Sequence, residues 1–422
     1  MSFVEVNKLR KAGRLKEAYI LASNDLNAEP EDVWAKRAMA WVLYDYSKDN
    51  IAFEKKESFL KCLRQINSIT IDAKETMFWE CICQLVRSMI ATCVRNNYEG
   101  DVYYDHLMEE IKAMPLPKPS EAYSSLLQNA LRIKLTWHHF DAFCRWWDFT
   151  NFREDDFSLR QVEEKTILPL AERSIMAYSK ALLLRHDHDF IEEWLPKLDM
   201  FIKQHPNYLY LPYYKAKLLI KTGALTIVTD ELRLFVSKKK TEFWAWDLLG
   251  DATLDEGLRM TYYCKAMTCK SKEEMTLTLR EKIVSCFISK KAFNLAKAEL
   301  ENIIAIRKRN KWKITLEITE YIKLLHDCES ASKKDLTTYY QTNSDKAEDA
   351  LFGSKQFRGK VRKNAAGFAF ISDVFVPSFM ADNFVDGQLA SGHAVKSYDK
   401  KKSKWGWRAV SIIPESDTQE KR

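Results

Sequence analysis

The chain has 422 residues, 46% of them hydrophobic and 30% charged, and its formal net charge at pH 7 is +7. This length is enough for two or three domains, and the composition is that of an ordinary soluble globular protein. The first residues, MSFVEVNKLRKAGRLKEAY, are charged from the first turn, so no signal peptide is expected. No stretch approaches the roughly 18 uncharged apolar residues of a membrane helix, so we expect no membrane partner.

Helical periodicity dominates the first three quarters of the chain. Residues 1–352 contain five glycines, and their apolar residues recur with a period near 3.6. This pattern predicts an all-helical domain over about residues 1–327. The segment MPLPKPSE, residues 114–121, is a rigid break and a candidate boundary between two helical layers.

Three segments of this region resemble the tetratricopeptide repeat (TPR). In KAGRLKEAYILASNDLNAEP the turn glycine is Gly13, the small packing residue is Ala18 and the final proline is Pro30. WAWDLLGDA has the W-x-x-L-G spacing of the repeat, and in CFISKKAFNLAKAEL Ala296 takes the small-residue role. The resemblance implies an α-solenoid of paired helices whose groove binds an unidentified protein partner. The number of repeats stays open, because residues 50–200 show no clear 34-residue period.

Eight of the nine cysteines lie in the predicted helical region, and the ninth, Cys328, directly follows it. Their number is odd, no CxxC pair occurs, and most fall on apolar helix faces, as in MFWECICQLV. Buried free thiols are typical of a reducing compartment, so we expect a cytoplasmic protein.

Two histidine clusters suggest metal chemistry. Residues 186–189, His-Asp-His-Asp, look like the dyad of HD phosphohydrolases, and His138, His139 and Asp141 look like part of a metal site. The second cluster belongs to HHFDAFCRWWDF, which is more simply the aromatic face of a helix. No complete catalytic or zinc motif accompanies either cluster. We therefore expect a protein that is not an enzyme and holds no metal or cofactor.

The C-terminal part differs in both charge and glycine content. Residues 328–355 are polar and poorly periodic, which predicts a linker with room for a short helix. Residues 353–406 contain six glycines. Residues 355–413 contain 11 Lys or Arg against 4 Asp, a net charge of +7, and the tail 414–422 carries −1. Since the whole chain carries +7, only +1 is left for residues 1–354. The excess of positive charge predicts an anionic partner for this region.

The segment FRGKVRKNAAGFAFISDVFVP, residues 357–377, has the two-residue period of strands. This period places Ile371, Val374 and Val376 in a small core. It places Phe368, Phe370 and Phe375 on the surface. Exposed rings can stack on bases, at about 1–3 kcal/mol per base, while Lys360, Arg362 and Lys363 neutralise phosphates.

The same segment resembles the cold-shock and RNase R-type OB-fold modules. GFAFI matches their first RNA-binding motif, DVFVP the second, and VDGQLASGHAV a later Asp-Gly…Val stretch. The loop between Gly359 and Gly367 is shorter than in bacterial cold-shock proteins and lacks their Trp. Pro377 replaces their His, which is closer to the RNase R type. The resemblance implies a five-stranded OB barrel over residues 356–413 that binds single strands, RNA in preference, on the three phenylalanines.

The last strand pair follows in SYDKKKSKWGWRAVSI. Its lysines form a solvated hairpin, while Trp405 and Trp407 share one strand face and either stack on bases or cap the barrel. The predicted nucleic-acid-binding residues are Lys360, Arg362, Lys363, Phe368, Phe370, Phe375, Lys400, Lys401, Lys402, Lys404, Trp405, Trp407 and Arg408.

The whole chain, a TPR-like solenoid with a KKK-x-K-W-G-W ending, resembles the TPR-plus-OB protein of bacterial multi-gene conflict (defence) loci. This resemblance implies a non-catalytic adaptor that binds single-stranded nucleic acid and recruits protein partners. Two alternatives remain at this point. One is a pure protein scaffold whose barrel docks onto a partner protein, and the other is a component of a metal-dependent nuclease.

Overall fold

The computed structural model describes residues 2–162, 164–185, 188–223, 230–399 and 401–415. The described chain is mainly α-helical and ends in a curled β-sheet, which confirms the predicted fold class. Its contacts divide it into two units, Met1–Trp194 and Leu195–Arg422. The division therefore lies well after the MPLPKPSE segment, which joins two helices inside the first unit.

Helices build most of the first unit, and neighbouring helices pack on one another around large aromatic side chains such as Trp79 and Trp147. Side-chain caps fix two of the starts, because Asp32 and Ser120 each accept a hydrogen bond from a backbone N–H three residues later. The helices are α1 Ser2–Lys11, α2 Leu15–Ala28, α3 Val33–Asp49, α4 Lys56–Ser68, α5 Thr76–Arg95, α6 Asp101–Ala113, α7 Glu121–Ile133, α8 Phe140–Trp147 and α9 Leu170–Leu184, with α10 His188–Gln204 running across the division.

Helix α5 alone among the described helices is long and apolar enough to cross a membrane, judged by length and composition. Of its most apolar 18-residue window, 56% is buried inside the protein. A core helix of a soluble protein passes the same test, so this helix is weak support for a membrane span.

The first unit also contains a short antiparallel strand pair, β1 Arg160–Val162 and β2 Lys165–Ile167. The prediction of an all-helical region is wrong for these residues. The pair was missed because each strand has only three residues and little apolar alternation, while its stabilising cross-strand contact is polar. The Gln161 side-chain amide donates to the Thr166 hydroxyl over 2.8 Å.

The helices of the second unit share one extended core. Within it, Gly250 lies so close to the Tyr263 ring that an added Cβ would stand 2.1 Å from the Tyr263 Cε1 atom. Glycine therefore permits the close packing of two helices at the W-x-x-L-G motif. The helices that follow α10 are α11 Leu211–Lys221, α12 Asp230–Lys238, α13 Phe243–Asp251, α14 Glu256–Thr268, α15 Leu277–Ser289, α16 Phe293–Arg309, α17 Leu316–Leu324, α18 Lys333–Ser344 and α19 Ala347–Phe352.

Paired helices are found at all three segments that resemble the TPR. Gly13 has a φ of +72° in the turn between α1 and α2, and Ala18 and Ala296 are fully buried where their helices meet a neighbour. The assignment of TPR repeats itself stays a prediction.

The predicted linker, residues 328–355, is largely helical. Helices α18 and α19 pack on α14 and bury one side in the core of the second unit. The buried Tyr340 hydroxyl donates to the Glu299 carboxylate over 2.8 Å. The sequence looks like a linker because each helix buries only a narrow stripe, and its remaining residues are polar. The linker prediction is therefore wrong over α18 and α19.

A curled six-stranded sheet follows, in the order β3-β7-β8-β6-β5-β4. The chain bends at the buried Val361, so that β3 and β4, adjacent in sequence, lie at opposite edges of the sheet. Counted as one bent strand, they give the five strands of the prediction. The strands are β3 Ser354–Lys360, β4 Arg362–Lys363, β5 Ala369–Ile371, β6 Val374–Val376, β7 Leu389–Asp399 and β8 Lys404–Pro414, with the short helix α20 at Ser378–Ala381.

The curled sheet, named here the half-barrel, encloses a small core of its own. Ile371, Val374 and Val376 are fully buried there, as the two-residue period predicted. Ala390 and Ala394 on β7 face the same core, and their small side chains let the sheet curl tightly. The prediction of which strand residues point inward is therefore confirmed.

The half-barrel is joined to the helices of the second unit by a packed junction. Phe352, at the end of α19, has its ring centroid 5.7 Å from that of Trp405 on β8, and Val395 of β7 belongs to the helical core. The His393 ring lies 2.6 Å from the Asp349 carboxylate. Glycine at position 353 adopts a φ of +82°, which turns the chain from helix into strand.

Candidate nucleic-acid interface

Phe368, Phe370 and Phe375 form one cluster on the sheet, named here the phenylalanine platform. Their ring centroids are 5.5 to 5.8 Å apart, and the rings are inclined to one another by 46 to 87°. Phe370 is 38% exposed, and the other two are half-buried. The structure thus brings together the three rings that the sequence predicted to share a surface.

Strand pairing extends this surface into a row. Phe370 lies directly opposite Phe375, Arg362 opposite Phe370, and Arg408 opposite Phe375. Residues paired across neighbouring strands share one face of a sheet, so an Arg-Phe-Phe-Arg row crosses four strands. At roughly 4.8 Å between strands, the row is about 14 Å long. Two cations therefore bracket the exposed rings.

Of the predicted lysines on the strands, Lys404 shares the face of this row. It is on the same face of β8 as Arg408, because the two are four residues apart along a strand. Between them Gly406 has no atom within 4 Å of its Cβ position, so the face is open there. Lys360 and Lys363 are exposed at the ends of their strands. Lys363 is paired with the core residue Ala369, so it does not share the face of the row.

The tip of the β7–β8 hairpin carries the remaining lysines. Lys401 and Lys402 are exposed, and their backbone N–H groups donate to the Asp399 carboxylate over 2.9 and 3.2 Å. The tip is therefore a fixed turn from which two ammonium groups project. Lys400 lies outside the described residues.

The cations of this surface lack acidic partners. Within the described part of the chain, no ion pair involves the side chains of Lys360, Arg362, Lys363, Lys401, Lys402, Lys404 or Arg408. Elsewhere on the sheet Lys355 and Arg358 form ion pairs with acids. Lys355 contacts Asp373 over 2.7 Å, and its hydrogen bond lowers the pKa of that carboxyl group. The surface therefore keeps its positive charge available for an anionic ligand.

Trp405 and Trp407 lie apart from the platform. Trp407 is paired with the core residue Val374, is half-buried against the barrel core, and has the Lys355 ammonium 4.7 Å from its ring centroid. Trp405 packs on Phe352 and on Tyr398, with ring centroids 5.7 and 5.4 Å away. Both rings pack on the protein at these contacts and are otherwise partly exposed, so base stacking by either ring stays a prediction.

Two of the histidines proposed as metal ligands, His138 and His139, contact a carboxylate in the first unit. His138 Nδ1 lies 2.5 Å from Asp101, and His139 Nδ1 lies 2.8 Å from Asp105. Asp141 turns away to Arg145 and Arg185. Among the residues that the structure describes, no three His, Cys, Asp or Glu side chains converge as a metal site. His186 and Asp187 lie outside those residues.

Comparison with known families adds two matches. Residues 355–412 match the S1/CSD-like domain 2 of the TOTE conflict systems. This S1/CSD-like domain is the curled sheet that carries the phenylalanine platform. Residues 209–347 match a domain of unknown function, DUF7017, which covers most helices of the second unit. No curated protein matches the chain. The chain is thus similar to DUF7017 over most helices of the second unit and to the S1/CSD-like domain over the curled sheet, and its first unit precedes both matches.

Proposed function

We propose that the S1/CSD-like domain binds single-stranded nucleic acid on the face that contains the phenylalanine platform. The observation that carries this proposal is the row in which two rings lie between Arg362 and Arg408, neither of them paired with an acid in the described chain. Rings of this kind stack on bases, and flanking cations neutralise phosphates. RNA is the preferred strand because of the resemblance to cold-shock and RNase R-type modules. Stacking does not depend on base identity, so binding is broad in sequence.

The chain as a whole acts in this proposal as a cytoplasmic adaptor without catalysis of its own. The match to a domain of TOTE conflict systems supports a role in defence, where other proteins would act on the bound strand. The helical units offer the surface for protein partners, since stacked helix pairs commonly bind peptides or domains. Hydrolysis of RNA or DNA by the pure protein would contradict the adaptor role.

The test measures binding of the full chain to a short labelled single-stranded RNA over a salt series. Phe370→Ala combined with Phe375→Ala should weaken binding by about 2–5 kcal/mol, because two stacking contacts are lost. The matched control is Phe379→Ala, which removes a ring of the same domain that is 64% exposed and outside the platform. This control should bind as the unmodified protein does.

Two results would contradict the proposal. One is unchanged RNA affinity in the double variant when circular dichroism shows a normal fold. The other is an affinity for the RNA that hardly changes with salt, because contacts to phosphates weaken steeply as the salt concentration rises. Salt-indifferent binding of a protein would favour the scaffold alternative.

A further inference from the structure

The first unit contains a polar cavity of about 200 Å³ beside the β1–β2 strand pair. It is lined by residues of helices α5 and α7 and by residues near the first strand. Guanidinium, amide and hydroxyl groups face it from Arg87, Arg153, Arg160, Gln84, Gln128 and Ser125. Two carboxylates, Glu80 and Glu121, complete its polar lining.

Further cations lie near two of the arginines that line the cavity. Burial and the nearby Arg87 lower the pKa of Arg132, and burial and the nearby Arg160 lower the pKa of Arg173. Burial lowers the pKa of Lys134 as well, with Arg173 and Lys180 adding to the effect. These side chains are therefore close enough to repel one another. They are named here the arginine cluster, which consists of Arg87, Arg132, Lys134, Arg160, Arg173 and Lys180.

Structural arginines elsewhere in this unit are paired, but most of the arginine cluster is not. Arg153 reaches the fully buried Asp156, which also accepts a 2.5 Å hydrogen bond from Ser124. In the described chain Arg87, Arg132 and Arg173 have no ion pair, while Arg160 only approaches Asp156 at 4.0 Å. The Arg173 Nε atom is buried without a hydrogen-bond partner. Within the arginine cluster Arg173 is half-buried and the other five side chains are exposed, so water screens part of their mutual repulsion. A bound anion reduces the repulsion that remains.

We propose that this cavity binds the phosphate group of a nucleotide or of a nucleic-acid strand, held by Arg87 and Arg160. One guanidinium group can donate two parallel hydrogen bonds to two oxygens of the same phosphate, whereas a lysine ammonium group cannot. An apolar cavity of about 150 Å³ admits benzene, so this volume admits a phosphate with part of its sugar. Glu80 and Glu121 accept hydrogen bonds from sugar hydroxyls or base amino groups, which favours a phosphate ester over a bare anion.

The site is separate from the function proposed above. It lies N-terminal to both family matches, on residues that the phenylalanine platform does not include. Variants of the two sites can therefore be combined, and failure of one proposal is visible independently of the other.

The test follows the melting temperature of the full chain with inorganic phosphate, ATP or a short single-stranded RNA. At least one of these ligands should raise it in the unmodified protein. Arg87→Gln combined with Arg160→Gln should weaken the affinity for that ligand at least tenfold. Both arginines are exposed, so the fold should survive, and the control Lys16→Gln with Lys61→Gln removes the same charge from exposed sites elsewhere in the unit. The control should respond as the unmodified protein does.

The ligands distinguish the source of the phosphate. An effect of ATP that RNA does not reproduce identifies a free nucleotide. A second result is RNA binding that survives Phe370→Ala with Phe375→Ala and is lost when Arg87→Gln and Arg160→Gln are added. That result identifies a nucleic-acid strand as the ligand of the cavity. The proposal is overturned if no phosphate compound stabilises the protein, or if the arginine variant responds as the control does.

Discussion

Glu172 is buried in the first turn of α9, with 3% of its surface exposed. Burial raises the pKa of this carboxyl group to about 7. An acid whose pKa is higher in the folded protein than in the unfolded chain favours folding at low pH. Its contribution to stability is complete below the unfolded pKa, near 4.3, and is lost as pH rises towards 7.

Glu172→Gln should therefore stabilise the protein at pH 8 by roughly 2–4 kcal/mol and change little at pH 4, because glutamine carries no charge to bury. Urea unfolding at both pH values measures the difference. An equal effect at the two values would show that ionisation of Glu172 is not responsible.

The single residues of the candidate interface were largely predictable, but their arrangement was not. The alternation of Phe368, Phe370 and Phe375 with small and β-branched residues fixes which side of each strand they occupy. That Arg362 and Arg408 stand at the two ends of one row depends on register between strands far apart in sequence. No local pattern encodes that register. The arginine cluster was missed for the same reason, since its members come from α5, α7, α9 and the β1–β2 pair.

Among the secondary-structure elements, α18 and α19 show how a polar segment conceals helices. The signals were present in the sequence. Ser332 and Asp335 form a capping box, and Leu336 and Tyr340 stand four residues apart on one helix face. Composition outweighed these signals in the linker prediction, because only the narrow buried stripe of each helix is apolar.

The β7–β8 hairpin is the element best placed to contact the phosphates of a bound nucleic-acid strand without touching its bases. Replacing Lys401, Lys402 and Lys404 by glutamine should flatten the dependence of log affinity on log salt. Each lost phosphate contact reduces the slope by about 0.7 for a single strand, so the loss is about 2 if all three make contact. The measurement is the salt series with the labelled RNA. An unchanged slope would place the phosphates away from the hairpin.

At the scale of the whole molecule, the junction makes the S1/CSD-like domain part of the second unit. The Phe352 ring lies between Trp246 and Trp405, and Lys240 stands 4.7 Å from its centroid. Burial alone would raise the pKa of the adjacent Glu348, but the ammonium groups of Lys240 and Lys265 lower it below its usual range. Apolar packing and ion pairs thus act together at this junction.

Phe352→Ala should lower the unfolding free energy by about 3–5 kcal/mol, as truncation of a buried ring does. Because the ring belongs to both the helices and the half-barrel, hydrogen exchange should accelerate in α13 and in β8 together. Phe379→Ala, at an exposed ring of the same domain, should change stability by less than about 0.5 kcal/mol. Faster exchange in the helices alone would show that the half-barrel is stable without the junction.

The two tryptophans of the S1/CSD-like domain have an optical consequence. Trp407 faces the barrel core and Trp405 faces the junction, so neither indole borders the phenylalanine platform. A strand stacked on the phenylalanines would leave the intrinsic emission of these two indoles almost unquenched. Emission from Trp405 would shift when the half-barrel separates from the helices. In this domain tryptophan fluorescence therefore responds to opening of the junction and not to binding on the phenylalanine platform.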